Sequence, residues 1–294
     1  MIQWSPETEH RHSGGGYEQS DSQFRGFALT HMSGPGCNGY GDIPILPLLG
    51  GAPAGDPGSH LEPISHSNEQ ASPGYYAATT GSPGIRTELT STTRTGSARL
   101  AYPAGQQASM LIKLLDSQNG TNAASAQIVS NTEVSGSAAS GAFCGSADRY
   151  TLFFDIVYDR PFTQSQVINV PGQQVSPNSV FLSWGNITNL QARIGISLVS
   201  VANARNNLQQ ENDSFNFDGV RTASRARWST LLNKIQSWAA TPPPTRCSTT
   251  TCPKWTPTTT TPPPCTTRST SACSTSRTGP ASRGRRRRPP TGSA

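Results

Sequence analysis

Between residues 86 and 199 the chain is cut into short β-branched or aromatic runs about ten residues apart, and this spacing constrains its fold more than any other feature. The runs are Arg86–Arg94, Ser97–Tyr102, Ser109–Leu115, Ala126–Val134, Gly141–Cys144, Tyr150–Tyr158, Val180–Trp184 and Gln191–Val199. Each is bounded by Gly, Asn, Ser or Pro, residues that turn a chain rather than extend it. Repeated short strands predict a mainly β fold, an antiparallel β-sandwich. Two helices are predicted to follow. Val201–Glu211 is short and polar. Gly219–Trp238, with Asp218 as its N-cap, repeats Val220, Ala223, Arg227, Leu231, Ile235 and Trp238 at three- and four-residue steps, with Trp228 and Leu232 widening the stripe. So amphipathic a helix calls for a partner surface.

The first eighty residues read as loop more than strand. Gln3–Thr8 ends a strand, with Pro6 halting any ladder. Residues 43–60 are rich in Pro and Gly, and Ile43-Pro44-Ile45-Leu46-Pro47 is not expected to form a central strand. Ser65–Tyr76 reads as a loop ending in a Pro73-Gly74 turn. Between these, Gly26–Cys37 opens apolar and breaks into a loop carrying Gly34, Gly36, Gly39 and Gly41, with His31, Ser33, Cys37 and Asp42 among them. Glycine lets a backbone approach a ligand closely because no Cβ intervenes. No GxxxxGK[ST] pattern follows a strand, so this is not a phosphate loop.

The net charge of +6 suggests nucleic acid until its placement is considered. Residues 239–294 hold nine Lys or Arg and no acid, which leaves 14 basic against 17 acidic residues in 1–238. The tail contains no Ile, Leu, Val, Phe, Tyr or Met and is predicted to be disordered. Its Thr/Pro composition fits a mucin-like stalk, and its Pro, Arg, Ala and Gly also fit a shifted reading frame. Arg285–Arg288 would suit an anionic surface, but no aromatic platform accompanies it, so no nucleic-acid partner is expected. Four of the six Cys lie in the tail; Cys37 and Cys144 can form one disulfide if the compartment is oxidising and the geometry allows. No apolar stretch is long enough to span a membrane. No basic n-region or apolar h-region of a signal peptide is visible at Met1–Trp4.

Several blocks together closely resemble glycoside hydrolase family 92, the exo-acting α-mannosidases. They are Met1–Thr8 (MIQWSPET), Gly14–Tyr17 (GGGY), Gly26–Cys37 (GFALTHMSGPGC) with Gly41–Pro44, and Ser65–Tyr76 (SHSNEQASPGYY). Thr87–Arg94, Thr132–Gly136, Val199–Ala204 and the helix at Val220–Ile235 continue the match in family order. Gln19 departs from it, standing where the family usually has an aromatic residue, and so do His10, His12 and Ser13, where some relatives place tryptophan.

The resemblance implies a secreted, calcium-assisted, inverting enzyme that trims terminal, α-1,2-linked mannose from glycans. Its N-terminal sandwich would pack on a C-terminal (α/α)6 domain, with mannose in the cleft between. In the family both carboxyl groups and most calcium contacts come from that second domain. No GGxPGNDD-type segment, which carries the family's base, occurs in the chain. No catalytic residue and no bound metal are therefore expected here. The implied organisation is a sandwich over 1–216, a helix over 217–238 leading toward the (α/α)6 domain, and a tail over 239–294. A freestanding carbohydrate-binding sandwich on a Thr/Pro stalk is the alternative.

On the family pattern, Trp4, Gly15, Tyr17, His31, Ser33, Gly34, Gly36 and Asp42 are the candidate sugar-binding residues, and His66 and Glu69 face the domain interface. Each has a plainer role as well. His31, Ser33 and Asp42 can pin their own loop, and Trp4 can fill the sandwich. His10 and His12 have no Cys, Asp or third His at ligand spacing, so no metal site is expected there. Asp155 and Asp159 would share a strand face about 13 Å apart, too far for either glycosidase geometry.

Overall fold

The computed structural model describes residues 2–11, 15–32, 34 and 36–235. Trp238, the tail with its cysteines and arginine run, and Ser33, His12, Ser13 and Gly14 lie outside the described residues. Among the described residues fourteen antiparallel strands form one hydrogen-bonded sheet that folds over on itself, thirteen along a single path and one beside it. One layer runs β12 (Gln164–Ile168), β13 (Ser179–Gly185), β8 (Ala108–Lys113), β3 (Ile45–Leu49) and β2 (Gln23–Ala28), with β1 (Ser5–Thr8) on the flank of β2. The other runs β4 (Glu62–Ser72), β5 (Tyr75–Thr80), β6 (Ile85–Ser91), β7 (Thr95–Ala101), β14 (Asn189–Ser197), β11 (Arg149–Tyr158), β10 (Glu133–Gly141) and β9 (Ala123–Ile128). Strand β4 is the corner: Glu62 and Pro63 pair with β2, and Ile64, Ser65 and Gln70–Ser72 pair with β5. The mainly β sandwich predicted from strand spacing is the observed fold.

The core lies between the layers, where Phe27, Leu46, Leu100, Met110, Phe154 and Tyr158 are buried. Strand β8 is buried along its whole length, and its last residue, Lys113, donates through Nζ to the His60 carbonyl at 2.5 Å.

Four local expectations need correction. Ile45–Leu49 is a central strand despite Pro47. Its full ladder is with β8, and it meets β2 only at the pair Phe27 and Ile45, so Pro47 lies beyond the point where β2 would ask for a donor. Ser65–Tyr76 is strand and turn rather than loop: β4 and β5 form a hairpin about Pro73-Gly74, with Gly74 at φ +81°. Ala126–Val134 is not one strand, because the Thr132 N–H donates to the Ser130 hydroxyl at 3.1 Å and turns β9 into β10. Gly141–Cys144 ends β10 and passes into a 3-10 turn, Phe143–Gly145, with Ala142 and Cys144 at φ +57° and +51°.

Helix α1 (Val201–Glu211) is capped by Ser200, which accepts from the Asn203 N–H at 3.1 Å. It packs on β14, where the missing Cβ of Gly195 lets the Ala204 carbonyl sit against the strand. Helix α2 (Phe217–Leu232) starts earlier than predicted, because Asn216 rather than Asp218 caps it, accepting from the Gly219 N–H at 3.0 Å. Its first turns are fastened by Arg99 over the Phe217 ring at 4.5 Å and by Arg221 over Tyr75 at 3.6 Å. Only Phe217 and Ser224 are fully buried; Trp228, Leu231, Leu232 and Ile235 are exposed among the described residues.

Candidate functional site

Two glycine loops converge on one buried acid. Glu7, on β1, has no exposed surface. Its carboxylate lies 2.6 Å from Arg11 Nε and 3.2 Å from His31 Nε2, and it accepts from Gln118 Nε2 at 3.0 Å. The turn at Gly16 (φ +75°) passes so close that a Cβ there would fall 2.7 Å from Glu7 Oε1 and 2.6 Å from His31 Nε2. Gly41 (φ +67°) passes on another side, and a Cβ there would overlap Glu7 Oε1 and crowd Gln118. Both positive φ values and both close approaches require glycine.

The network continues inward. The Arg11 Nη2 group bridges the Asp116 carbonyl at 2.7 Å and Oδ1 at 2.8 Å; Arg25 Nη1 lies 3.4 Å from Oδ1, and Lys113 Nζ 3.8 Å from Oδ2. Burial pulls the Lys113 ammonium down to about 8, with Asp116 opposing. Three cations thus surround one carboxylate, and Arg11 links it to Glu7.

The predicted site residues fall into three places. Asp42 is fully buried and accepts from Thr30, Ser117 and Tyr150, the last at 2.9 and 3.0 Å. Burial raises its pKa against those three donors. Its carboxylate pins the loop, as Tyr40 does by stacking on Tyr150 at 5.2 Å. Trp4 is buried in the sandwich, donating to the Phe27 carbonyl at 3.1 Å and lying against Gly96. His31 is nearly enclosed, its Nδ1 2.8 Å from the Ser5 hydroxyl. In contrast, Gly15, Gly34 and Gly36 are exposed, and nothing stands within 4 Å of where a Cβ would be on Gly34 or Gly36. Cys37 is bonded to Cys144, which ties this open loop to the turn after β10.

Tyr17, His66 and Glu69 form a second cluster. A register shift in β4 between Ser65 and Gln70 sets His66 and Glu69 off the ladder. The Tyr17 hydroxyl donates to Glu69 Oε2 at 2.8 Å, Tyr76 donates to Oε1, and His66 spans Glu69 Oε2 at 2.8 Å and the Asp21 carbonyl at 2.7 Å. With an acceptor at each ring nitrogen, the Asp21 carbonyl first and Glu69 second raise the His66 pKa. Burial pushes Glu69 up, but Tyr76, His66 and Tyr17 outweigh it and hold the carboxyl below its usual value. The His66 contribution to stability is therefore full below 6.5 and lost as pH rises through its raised value; that of Glu69 is present above 4.5 and lost as pH falls. His66→Ala is expected to lower the denaturation midpoint more near pH 5.5 than near pH 9, the difference staying within about 1 kcal/mol. Equal losses at both pH values would refute the pairing.

Glu9, His10 and Asp21 bring two carboxylates and an imidazole within 4.8 Å of one another, the one such group among the described residues. Chain spacing hid it, because Asp21 arrives through the fold. Calcium takes six to eight oxygen ligands, and a set of one ring nitrogen and two carboxylates, with Asp21 already held by the His10 backbone and ring, does not fit it.

The sequence reading missed Glu7, Arg11, Asp116, Lys113 and Gln118. Only Glu7 lay inside a matched block, and the others carry no motif.

The layers, the corner strand and the two following helices define an all-β sandwich domain with a helical extension. The model of the glycosyl hydrolase family 92 N-terminal domain matches residues 1–197, and the chain belongs to that family. Among solved structures, the family 92 α-mannosidase BT3965 of Bacteroides thetaiotaomicron is similar at 25% identity and TM-score 0.70, over 81% of this chain and 35% of that one. The family 92 glycosyl hydrolase ccman5 (24% identity, TM-score 0.67, 82% and 34%) and the inverting mannosidase BT2199 of Bacteroides thetaiotaomicron (23%, 0.66, 81% and 33%) share the fold. The chain thus spans about a third of the length of these structures. No curated protein matches it.

Proposed function

We propose that this domain is the sandwich wall of a mannose-binding cleft in a secreted, calcium-dependent α-mannosidase that removes terminal α-1,2-linked mannose, and that alone it binds glycan without hydrolysing it. One observation carries the reading: two glycine loops are fastened side by side on Glu7, leaving Gly15, Gly34 and Gly36 exposed. Bare backbone offers N–H and C=O groups to sugar hydroxyls at close range. Inverting hydrolysis needs an acid and a base about 6.5–9.5 Å apart with room for water. The carboxylates beneath these loops are already engaged, Glu7 by Arg11, His31 and Gln118, Asp42 by three hydroxyls, and Asp116 by three cations. Both catalytic carboxyls and the calcium are assigned to the remainder of a longer enzyme, and the exposed Trp228, Leu231 and Leu232 of α2 to the contact with it.

Titrating the 294-residue chain with mannose and α-1,2-mannobiose, with calcium, is expected to give binding without product. Amide shifts should gather at residues 34–41, and galactose should bind more weakly. Absence of mannose binding would overturn the cleft reading. Release of mannose would overturn the claim that the domain is inactive alone.

A further inference from the structure

Three N-glycosylation sequons occur in the chain, at Asn119-Gly120-Thr121, Asn186-Ile187-Thr188 and Asn212-Asp213-Ser214. The fold treats their acceptor nitrogens very differently. Asn119 Nδ2 donates to the Gly141 carbonyl at 3.0 Å and the Ala142 carbonyl at 3.2 Å, holding the turn that leads to Cys144. Asn212 is 4% exposed, and its Nδ2 donates to the Gly96 carbonyl at 3.2 Å and the Ser97 hydroxyl at 2.9 Å. An amide nitrogen has two hydrogens. In both residues both are committed to the fold, so a sugar on either nitrogen would break those bonds, and at the buried Asn212 it would also need space that is filled.

Asn186 is the opposite case. It is exposed on the turn that carries the chain from β13 in one layer to β14 in the other, just after Gly185 (φ +69°). The turn is held by other groups: the Ile187 N–H donates to the Gly185 carbonyl at 3.0 Å, the Thr188 carbonyl accepts from Tyr102 N–H at 2.9 Å, and Trp184 Nε1 donates to the Arg160 carbonyl at 3.2 Å. The turn keeps its shape whatever the Asn186 amide carries.

We propose that Asn186 is the N-glycan acceptor of this domain and that Asn119 and Asn212 stay unmodified in the folded protein. The inference rests on the secretory part of the proposed function. The co-reactant is a polyprenyl-diphosphate-linked oligosaccharide together with the transferase of the secretory route. Asn186 Nδ2 forms a bond to the sugar C1, the C1–O bond to the diphosphate breaks, the lipid diphosphate leaves with the electron pair, and the amide loses one proton. Position supports the assignment as well. Gly185 pairs with Ala108 at one end of β8, whereas Lys113, at the other end, joins the Glu7–Asp116 network. At ~3.3 Å per residue, the length of β8 separates the glycan from the glycine loops by roughly 17 Å, so the sugar-binding face stays open.

The test directs the full chain, behind a cleavable leader, through the secretory route of a glycosylating yeast, and maps the secreted protein by glycosidase release and peptide mass spectrometry. Conversion of Asn to Asp on release is expected at position 186 alone, and Asn186→Gln is expected to remove the single glycan band while the secreted protein keeps its circular-dichroism spectrum. Release at Asn119 or Asn212, or an unoccupied Asn186, would overturn the proposal. The experiment imposes the route and reads no sugar binding, so its failure is distinct from failure of the cleft reading.

Discussion

Glu7→Ala is expected to lower the unfolding free energy by about 3–5 kcal/mol, the loss found when one member of a buried ion pair is removed. The magnitude follows from what the carboxylate holds. Without it, Arg11 keeps only Asp116, which Arg25 and Lys113 already crowd, Gln118 Nε2 loses its acceptor, and His31 Nε2 loses the carboxylate 3.2 Å away. A buried polar group without a partner costs more than its hydrogen bond had contributed. The distinguishing control is Glu7→Ala combined with Arg11→Met. If the loss comes from an unpaired buried charge, removing the partner restores stability and the two changes are non-additive. Denaturant midpoints of the wild type, both single variants and the double variant complete the cycle. A single-variant loss under about 1 kcal/mol, or additive losses, would show that Glu7 does not fasten the loops.

The sandwich was legible because its signal is local. From Arg86 onward the runs that became β6, β7, β8, β11, β13 and β14 alternate or stay apolar between turn residues, and their boundaries fall within a few residues of those predicted, whereas β9, β10 and β12 do not follow the predicted runs. Legibility failed where a long-range partner decides the structure. Pro47 reads as a strand breaker until the short reach of β2 shows that no donor is required of it. His66 and Glu69 sit in a strand whose register shift is set by pairing with β5.

The candidate site was half visible for the same reason. Glycines at 34, 36, 39 and 41 announce a loop that comes close to something, and the sequence pattern assigned that closeness to a sugar. Gly16 and Gly41 instead approach Glu7, and Gly39 approaches Phe143. Within this loop Gly34 and Gly36 face open space. The residues on which the loops rest, Glu7, Arg11, Asp116 and Gln118, come from segments more than a hundred residues apart in the chain, and no spacing rule connects them.

The other large effect lies in the denatured state. Cys37 and Cys144 close a loop of 107 residues. A cross-link over about 100 residues removes enough chain entropy to stabilise a domain by about 4.7 kcal/mol in the loop-closure model. Reduction, or the pair Cys37→Ser and Cys144→Ser, is therefore expected to lower the unfolding free energy by about 4–5 kcal/mol, comparable with the whole stability of a marginal domain. Cys144 is exposed, so reductant can reach the bond without prior unfolding. The native loop should persist after reduction, because Tyr40 still stacks on Tyr150, Gly39 still lies against Phe143, and Asp42 keeps Thr30, Ser117 and Tyr150. The two readouts separate these claims. The denaturant midpoint should fall on reduction, while near-ultraviolet circular dichroism from the tyrosine pair is retained in the absence of denaturant. An unchanged midpoint would mean that the cross-link spans residues already held together in the unfolded chain. A lost tyrosine signal at an intact midpoint would mean instead that the bond positions the glycine loop directly, and the proposed sugar wall would then depend on an oxidising compartment.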